Sequence, residues 1–544
     1  MIIVRINFVM SGGGERKSKV TNFLAYFKII VGFRKLFALK IGLWKLFALK
    51  NSYNLKQILH NFTYSHVMSA SFSSHHNNLN PPDFERGGFA HHIFFSARRA
   101  IASHASGGNV LILATVLALI VANVPSWAAV YNGFWNLPMR LQIGNFNLFS
   151  HAGHPMTVLQ FINDALMAIF FFTIGLEIKR EVLVGELSSI RQALLPIMAA
   201  IGGMIVPVGL FMLLARGTAY ADGAAIPMAT DIAFSLGILA LLGSRVPLSL
   251  KIFLTTLAVV DDIGGIIVIA TCYSTHFEAA YLGYAAIGLL VLIAGGAWLK
   301  IQSKMFYSIV GIVVWFLVLN SGIHPTIAGV LVAFCVPAVP VYEPKHYIKV
   351  IRANIRRFNE EDDELLERRT ILTHEQMDNL KQIESASDRV ISPLQDMEDS
   401  LHPLTNYLII PLFAFANAGI SLLGVDPLTI VSGISLAIII GLVVGKSVGI
   451  LLFSWLTVKL NLAPMPDRST WAQMASVAFL GGIGFTVSLF IANLTFDGAT
   501  PESLAMLNDA KLGIVVGSLL SGVIGYLMLR RTLPAESEAV PEEE

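Results

Sequence analysis

Hydrophobic residues occur in this chain as long unbroken stretches, not as the stripes or alternating positions that a soluble protein buries on one face. A helix needs about 20 consecutive apolar residues to cross a bilayer, and stretches of that order recur from Asn109 to Arg530. Twelve spans are predicted, at residues 109–124, 158–177, 192–215, 225–243, 248–273, 280–299, 306–320, 325–341, 404–423, 433–458, 472–495 and 511–529. The pattern therefore predicts an all-α polytopic membrane protein.

The composition agrees with this prediction and excludes a soluble enzyme. Of the 544 residues, 55% are apolar and only 14% are charged, with a mean hydropathy of +0.66. So few charged residues would not cover the surface of a soluble domain. A Gly-Lys-Ser sequence at Gly445 resembles part of a phosphate-binding loop, but Ile440 stands where that motif needs glycine. We therefore expect no enzyme activity and no bound cofactor.

Charged segments divide the chain into predicted parts. Residues 1–67 hold 11 Lys and Arg against one acidic residue and contain a ten-residue repeat, so they are either a basic surface segment or an extension upstream of a start at Met68. The other predicted parts are a flexible cytoplasmic lead-in at 68–97, a twelve-helix membrane domain at 98–532, a long cytoplasmic loop at 342–403 with one helix around Asp362–Ser385, and an acidic tail at 533–544.

The distribution of Lys and Arg predicts the orientation. These residues are concentrated in alternate loops, as expected of loops on the cytoplasmic side. Both termini are therefore predicted in the cytoplasm, and the first connection between spans is predicted outside. Around Gly144 and Asn145 this connection alternates polar and apolar residues, which predicts an external β-hairpin within residues 136–150.

Two adjacent acidic residues inside the fifth span are the most informative feature of the sequence. A charge near the bilayer centre costs at least about 2.5 kcal/mol and marks a functional candidate. Neighbouring helical residues point about 100° apart, so one of the two carboxylates can face a cavity while its neighbour reaches toward another helix. Two carboxylates this close resist simultaneous ionisation, so proton uptake competes with cation binding. This competition is what cation/proton exchange requires.

A buried lysine and two interrupted spans accompany the acidic pair. Lys446 lies deep in the tenth span and needs an acidic partner, which Asp261 or Asp262 would supply. Pro227 and Thr230, just before Asp231, predict a break in the fourth span, and the glycines and hydroxyls of 480–488 predict one in the eleventh. Paired breaks indicate inverted-topology repeats, with the interrupted helices crossing at an ion site at the midplane. Asp231 and Lys446 would offset the partial charges of the opposed helix ends.

Further ionisable residues lie near the ends of spans, where two interpretations stay open. Asp164 begins the second span and is either at its wet end or an intramembrane acid with a functional role. Glu177 and Glu181, at the cytoplasmic end of that span, and Glu398 and His402, before the ninth, are either interfacial charges or a funnel that attracts cations and responds to pH.

Several motifs closely resemble those of NhaA-type sodium/proton antiporters of bacterial inner membranes, over about residues 98–532. The motifs are 161–181, 225–234, 241–253, Asp261-Asp262, 411–419, Gly445-Lys446 and 482–486. The resemblance implies electrogenic, pH-regulated exchange of internal sodium or lithium for external protons. It also implies a homodimer joined through the hairpin, and no nucleic-acid partner.

The resemblance assigns roles to individual residues of this chain. Asp261 and Asp262 would bind protons and, transiently, sodium, and Asp261 would pair with Lys446. Thr230 and Asp231 would line the crossing of the interrupted helices. A cytoplasmic cluster would respond to pH, consisting of Glu177, Arg180, Glu181, Glu398 and His402.

The sequence departs from the family pattern in its first 96 residues and in the length of the 342–403 loop. Within that loop Gln395, Asp396 and Asp399 stand where basic or histidine residues are usual, so the pH set point does not follow from the resemblance. A sodium-coupled symporter of an organic anion is the alternative function, although it would not explain Lys446 and the acidic pair.

Overall fold

The computed structural model describes residues 107–140, 142–143, 146–147, 150–151, 154–273, 278–340, 344–360, 374–420, 432–496, 498 and 500–533. The predicted extension 1–67, the lead-in 68–97 and all of the acidic tail except Leu533 lie outside these residues. Helices dominate the described residues.

Seventeen α-helices, some containing a π-helical turn, are distinguished within these ranges. In chain order they are α1 (Gly107–Asn123), α2 (Pro125–Trp135), α3 (Val158–Val184), α4 (Ile190–Leu214), α5 (Ile232–Leu241), α6 (Leu248–Cys272), α7 (Ala279–Ala297), α8 (Lys304–Leu319), α9 (Thr326–Cys335), α10 (Pro344–Glu360), α11 (His374–Val390), α12 (Pro393–Leu404), α13 (Ile410–Asn417), α14 (Gly433–Lys459), α15 (Trp471–Gly481), α16 (Phe485–Thr495) and α17 (Pro501–Thr532). The 3-10 helices are Glu186–Ser188, Ala221–Met228 and Gly243–Arg245, and the π-helical turns are Ile162–Leu166, Thr405–Ile409 and Gly441–Lys446.

Seven helical segments in the described ranges are long and apolar enough to cross a membrane, or nine if each of two bent helix pairs forms one span. The bent pairs are α1 with α2, at 112°, and α15 with α16, at 40°. The shorter apolar helices α8 and α9 fall below this length. The chain is thus a multi-pass membrane protein, while the number twelve stays a prediction.

The distribution of side chains is the reverse of that in a soluble protein. Large apolar residues on the outside are strongly exposed, including Leu213 at 69% and Leu290 at 62%. In contrast, Asp261, Asp262 and Lys446 are at most 4% exposed. A surface of this kind is stable against lipid chains, and the polar interior marks where function is expected.

Local structure differs from the predictions in three places. The first span turns sharply into a further helix, α2, because Pro125 cannot continue the hydrogen-bond ladder of α1. One helix was predicted in the 342–403 loop, around Asp362–Ser385, whereas the described residues of this loop contain α10, α11 and most of α12. Residues 362–373 of that prediction lie outside the described residues. Helix α12 then runs through a π-helical turn directly into α13, so the 342–403 loop ends in a helix.

Short strands occupy the predicted hairpin region. Strand β1 (Gln142–Ile143) pairs antiparallel with β2 (Phe146–Asn147), and β3 (Ser150–His151) pairs with β4 (His154–Pro155). The first pair encloses residues 144 and 145, the positions from which the turn was predicted. Its location outside the cell stays a prediction.

Glycines allow α4 and α14 to approach closely. A Cβ atom on Gly202 would collide with the carbonyl oxygen of Gly449, and a Cβ on Gly449 would collide with that of Gly202. Small residues commonly permit such close packing between membrane helices. The contact matters for function because α14 carries Lys446.

We therefore expect Gly202→Ala to destabilise the protein by about 1–3 kcal/mol through overpacking. Gly209→Ala is the matched control, because Gly209 lies on the same helix and a Cβ atom there would meet no other atom within 4 Å. The measurement is the midpoint of thermal unfolding in detergent. A lower midpoint for Gly202→Ala alone is expected; equal midpoints for both variants would contradict the close contact.

Candidate functional site

The two carboxylates of the acidic pair are both buried on α6 but face different surroundings. Asp261 is 2% exposed and contacts side chains of other helices, whereas Asp262 is 4% exposed and lines a cavity of about 380 Å³. This division follows from the 100° step between neighbouring helical residues. One carboxylate is therefore placed for an ion pair and the other for a ligand that enters the cavity.

Asp261 forms an ion pair with Lys446 in the interior. The Lys446 ammonium nitrogen lies 2.6 Å from Asp261 Oδ2, and both side chains are fully buried. The hydroxyl of Thr230 also lies 2.6 Å from this oxygen and 2.8 Å from the carbonyl oxygen of Gly481. Because a hydroxyl has one proton, it donates to only one of these acceptors at a time. The other carboxylate oxygen, Asp261 Oδ1, has no hydrogen-bond partner among the described residues.

The position of Lys446 depends on unusual local backbone. It ends the π-helical turn Gly441–Lys446 of α14; turns of this type are frequent at functional sites. A Cβ atom on the preceding Gly445 would lie 2.8 Å from Cα of Pro207 on α4, so glycine permits this approach. The Lys446 ammonium also donates to the carbonyl oxygen of Met228, the last residue of a 3-10 helix.

Asp231 joins the two interrupted segments. The 3-10 helix Ala221–Met228 ends in extended backbone, and Asp231 then caps α5 by accepting a hydrogen bond from the Phe234 amide at 3.0 Å. Its other oxygen accepts from the Thr486 amide at 3.0 Å and from the Thr486 hydroxyl at 2.5 Å, in the first turn of α16. One carboxylate therefore lies at two helix N-termini, where negative charge is favourable.

Helix ends of opposite polarity thus receive charges of opposite sign. The Lys446 ammonium lies at a helix C-terminus, and the Asp231 carboxylate lies at two N-termini. Further hydrogen bonds connect the same segments: Ser235 donates to the Leu480 carbonyl at 2.9 Å, and Ser488 donates to that of Ile226 at 2.7 Å. The breaks at 229–231 and 482–484 are therefore in direct contact.

The cavity beside Asp262 connects several of the predicted residues. Its lining includes Thr230, Asp231 and Asp262, and also Glu177 on α3 and His402 on α12. Hydroxyl and amide side chains from Thr173, Thr405, Asn406 and Thr486 add polar surface. Negative and polar groups around a buried cavity can replace part of the hydration shell of a small cation.

A charged cluster lies at one end of this cavity. Glu398 is buried, and its Oε1 atom lies 2.9 Å from Arg180 and 3.4 Å from the ring of His402. Arg180 also contacts Glu181 at 3.5 Å. Glu177 lies one helical turn before Glu181 on α3 and lines the cavity. The structure thus brings together the five residues that the resemblance assigns to the pH response.

Histidine and aspartate in this cluster have shifted protonation equilibria. The hydrogen bond from His402 to Glu398 raises the pKa of His402, burial opposes this rise, and the charge of Glu177 adds to it. Burial, followed by repulsion from Glu398, raises the pKa of Asp399. Asp396 instead forms an exposed ion pair with Lys304 at 2.9 Å. Of the departures from the family pattern, Asp399 is therefore the one placed beside the cluster.

Asp164 lies apart from these groups, in the π-helical turn of α3. Its carboxylate is 3.8 Å from the ring of His324, whose other nitrogen is 2.8 Å from the Thr326 hydroxyl. Neither residue lines the Asp262 cavity. The structure therefore separates Asp164 from the acidic pair.

Sequence reasoning missed one polar network and one shared contact. The amides of Asn163, Asn417 and Asn493 form a chain of hydrogen bonds, each 2.9 Å long, between α3, α13 and α16. The contact of Asp231 with both α5 and α16 was also missed, although a break was predicted at the glycines and hydroxyls of 480–488. In the described ranges no group of three or more His, Cys, Asp or Glu residues is arranged to hold a metal ion.

Comparison with known proteins identifies close relatives. Residues 98–529 match the sequence model of the family described as Na⁺/H⁺ antiporter 1. The Na⁺/H⁺ antiporter NhaA of Phocaeicola vulgatus is 52% identical over 442 residues, which cover 81% of this chain and 97% of that protein. The corresponding antiporter of Bacteroides fragilis is 53% identical over 78% of this chain and 95% of its own length. That of Escherichia coli is 44% identical over 81% and 97%.

Proposed function

Since this chain belongs to the Na⁺/H⁺ antiporter 1 family, whose members are transporters and not enzymes, we propose that it exchanges internal sodium or lithium for external protons at Asp261 and Asp262. Sodium/proton exchange itself follows from the family. The proposal concerns the site, the use of lithium, the electrogenic character and the regulation by pH.

The observation that supports the proposal most strongly is that the two residues of the acidic pair have different surroundings. Asp262 lines the polar cavity, and Asp261 holds Lys446 at 2.6 Å while keeping one oxygen unpartnered among the described residues. A cation in the cavity would meet Asp262 first and could then reach Asp261 Oδ1. Because a carboxylate that holds a proton cannot also bind a cation, the two ligands compete.

We propose that each transport cycle alternates between these ligands. Sodium bound between the two carboxylates weakens the attraction of Asp261 for Lys446, and protons bound from the outside restore the sodium-free state. Asp262 and the Asp261–Lys446 pair can each carry a proton, so more than one proton can exchange for one sodium ion. That ratio would make the exchange electrogenic.

An inverted-repeat architecture is the proposed basis for alternating access. The two repeats would consist of α4 to α6 and α14 to α17, each with a broken middle segment. Hydrogen bonds between the breaks support this view, in particular that from the Asp231 amide to the Ile483 carbonyl at 2.6 Å. Relative movement of the repeats would change the side from which Asp262 is reached.

The same proposal includes the location of the protein in the cell and its assembly into a homodimer. We place the protein in the bacterial inner membrane with both termini in the cytoplasm, as the distribution of Lys and Arg predicts. The strands β1 and β2 would form the contact of a homodimer. Exposed ladder groups of a short hairpin can pair with a second copy of the same strand.

The direct test is exchange by the full chain in everted membrane vesicles. After a proton gradient has been formed, addition of sodium or lithium should dissipate it, as reported by dequenching of a pH-gradient dye. A gradient that persists on addition of either ion between pH 6.5 and 9, in vesicles that contain the protein, would contradict the proposal. The symporter alternative would then be tested with organic anions.

His402 should set the pH at which exchange begins. Because the pKa of His402 is raised, its charged form, bonded to Glu398, persists at pH values above the ordinary histidine pKa of about 6.5. This charged form is lost as the pH rises further. If this loss releases the cluster, His402→Gln should allow exchange at a pH lower by roughly one unit. The pH profile of dequenching is the measurement. His374→Gln, at an exposed histidine on α11, should leave the profile unchanged, and identical profiles for both variants would exclude this role.

A further inference from the structure

Helices α10 and α11 form a pair that the ion site does not use. Helix α11 ends three residues before Pro393, and the Leu394 amide donates to the carbonyl oxygen of Pro337 at 3.1 Å. Eight residues, 336–343, separate α10 from the apolar helix α9. Fully extended, they reach about 26 Å. The segment that follows α11 is therefore held two residues beyond the end of α9, and the start of α10 lies within about 26 Å of that end.

One face of α10 carries a stripe of positive charge. Lys345, Lys349, Arg352 and Arg356 follow the spacing i, i+4, i+7 and i+11, which places them on one side of a helix, and all four are exposed. In the described part of the chain, none of them belongs to an ion pair. These four residues, here called the basic stripe, are available for an external partner.

Exposed apolar side chains border the basic stripe. Ile348 is 41% exposed and Ile355 is 46% exposed, and their i, i+7 spacing places them on one line beside the basic residues. The opposite face contains the buried Asn354, and Tyr347 contacts Arg389 of α11. The charged and apolar positions thus face away from the contact with α11.

We propose that the basic stripe and its two isoleucines dock on the anionic lipid headgroups of the membrane that holds α9. A helix with basic residues beside exposed aliphatic residues is typical of one lying in the membrane interface. Basic segments close to a membrane helix are attracted to anionic lipids. The short connection to α9 favours the bilayer over a soluble partner. This inference does not depend on the proposed ion site.

The test measures the distance of the basic stripe from lipid in the full chain. In a Cys272→Ser/Cys335→Ser background, Ala353→Cys, at an exposed position of α10 beside the basic stripe, carries a fluorophore, and the protein is reconstituted with headgroup-nitroxide lipid as the quencher. Phosphatidylcholine bilayers are compared with bilayers containing about one third phosphatidylglycerol. Stronger quenching is expected in the anionic bilayer, with a loss in high salt because the charges are screened.

Two matched sets of substitutions identify the groups responsible. K345Q/K349Q/R352Q/R356Q should lower the ratio of docked to undocked protein about fivefold for each charge removed. E375Q/D378Q/E384Q, on α11, should retain the quenching. Both sets should retain sodium/proton exchange, which shows that the protein is folded. Equal quenching in the two bilayers, or quenching that survives loss of the basic stripe, would overturn the proposal and direct attention to a protein or nucleic-acid partner.

Discussion

Replacement of Asp262 by asparagine is expected to abolish sodium/proton exchange while leaving the protein folded in the membrane. Asparagine keeps the size of the side chain but can neither release a proton nor offer a full negative charge to sodium. Asp262 lines the cavity, and its carboxylate is bonded to no side chain in the described ranges, so the substitution breaks no internal contact. Dequenching in everted vesicles should therefore fall to the level of vesicles without the transporter at every pH between 6.5 and 9.

The matched control for this prediction is Asp509→Asn. Asp509 is a half-buried aspartate of α17 that lies outside the cavity, so its replacement removes a carboxylate without touching the proposed site. We expect this variant to keep exchange near the wild-type rate. Binding of radioactive sodium in detergent separates the two steps of transport, and it should be lost in Asp262→Asn only. Wild-type exchange by Asp262→Asn would remove Asp262 from the mechanism.

The sequence was most informative where charge conflicts with a hydrophobic setting. The costs of burying Asp261, Asp262 and Lys446 are large, so these residues are conspicuous in an apolar sequence. The same reasoning predicts that Lys446 needs an acidic partner, and the structure places it against Asp261. The reasoning from sequence does not show whether Asp261 or Asp262 is this partner, because that depends on the rotation of α6 relative to α14.

Backbone irregularities were much less predictable. The π-helical turn that ends at Lys446 adds one residue to a helical turn, and its sequence reads as ordinary apolar helix with glycines. The bend before Pro125 has a local cause, but the helix that follows it is too short to show a spanning pattern. The double contact of Asp231 depends on the meeting of segments about 250 residues apart. Such long-range geometry is set by packing and not by local preference.

Replacement of Asp261 by asparagine should have the second largest effect, because it leaves the buried Lys446 without a counter-charge. Removing one partner of a buried ion pair typically costs about 3–5 kcal/mol. We expect Asp261→Asn to lower the thermal midpoint in detergent and to reduce exchange severely, although Asp262 remains in place. The unpartnered ammonium would also repel a sodium ion that approaches from the cavity.

Neutralising both partners should reverse part of this loss. In Asp261→Asn/Lys446→Met no buried charge is left unpaired, so the thermal midpoint and the exchange rate should rise above those of Asp261→Asn alone. The full cycle, with Lys446→Met as the second single variant, measures the interaction as the departure from additivity. Residues in direct contact are expected to show a coupling of about 0.5–3 kcal/mol. Additive effects on the midpoint would mean that the 2.6 Å contact contributes nothing to stability. A double variant that recovers stability but not exchange would instead assign Asp261 a direct part in binding the transported ion, beyond its pairing with Lys446.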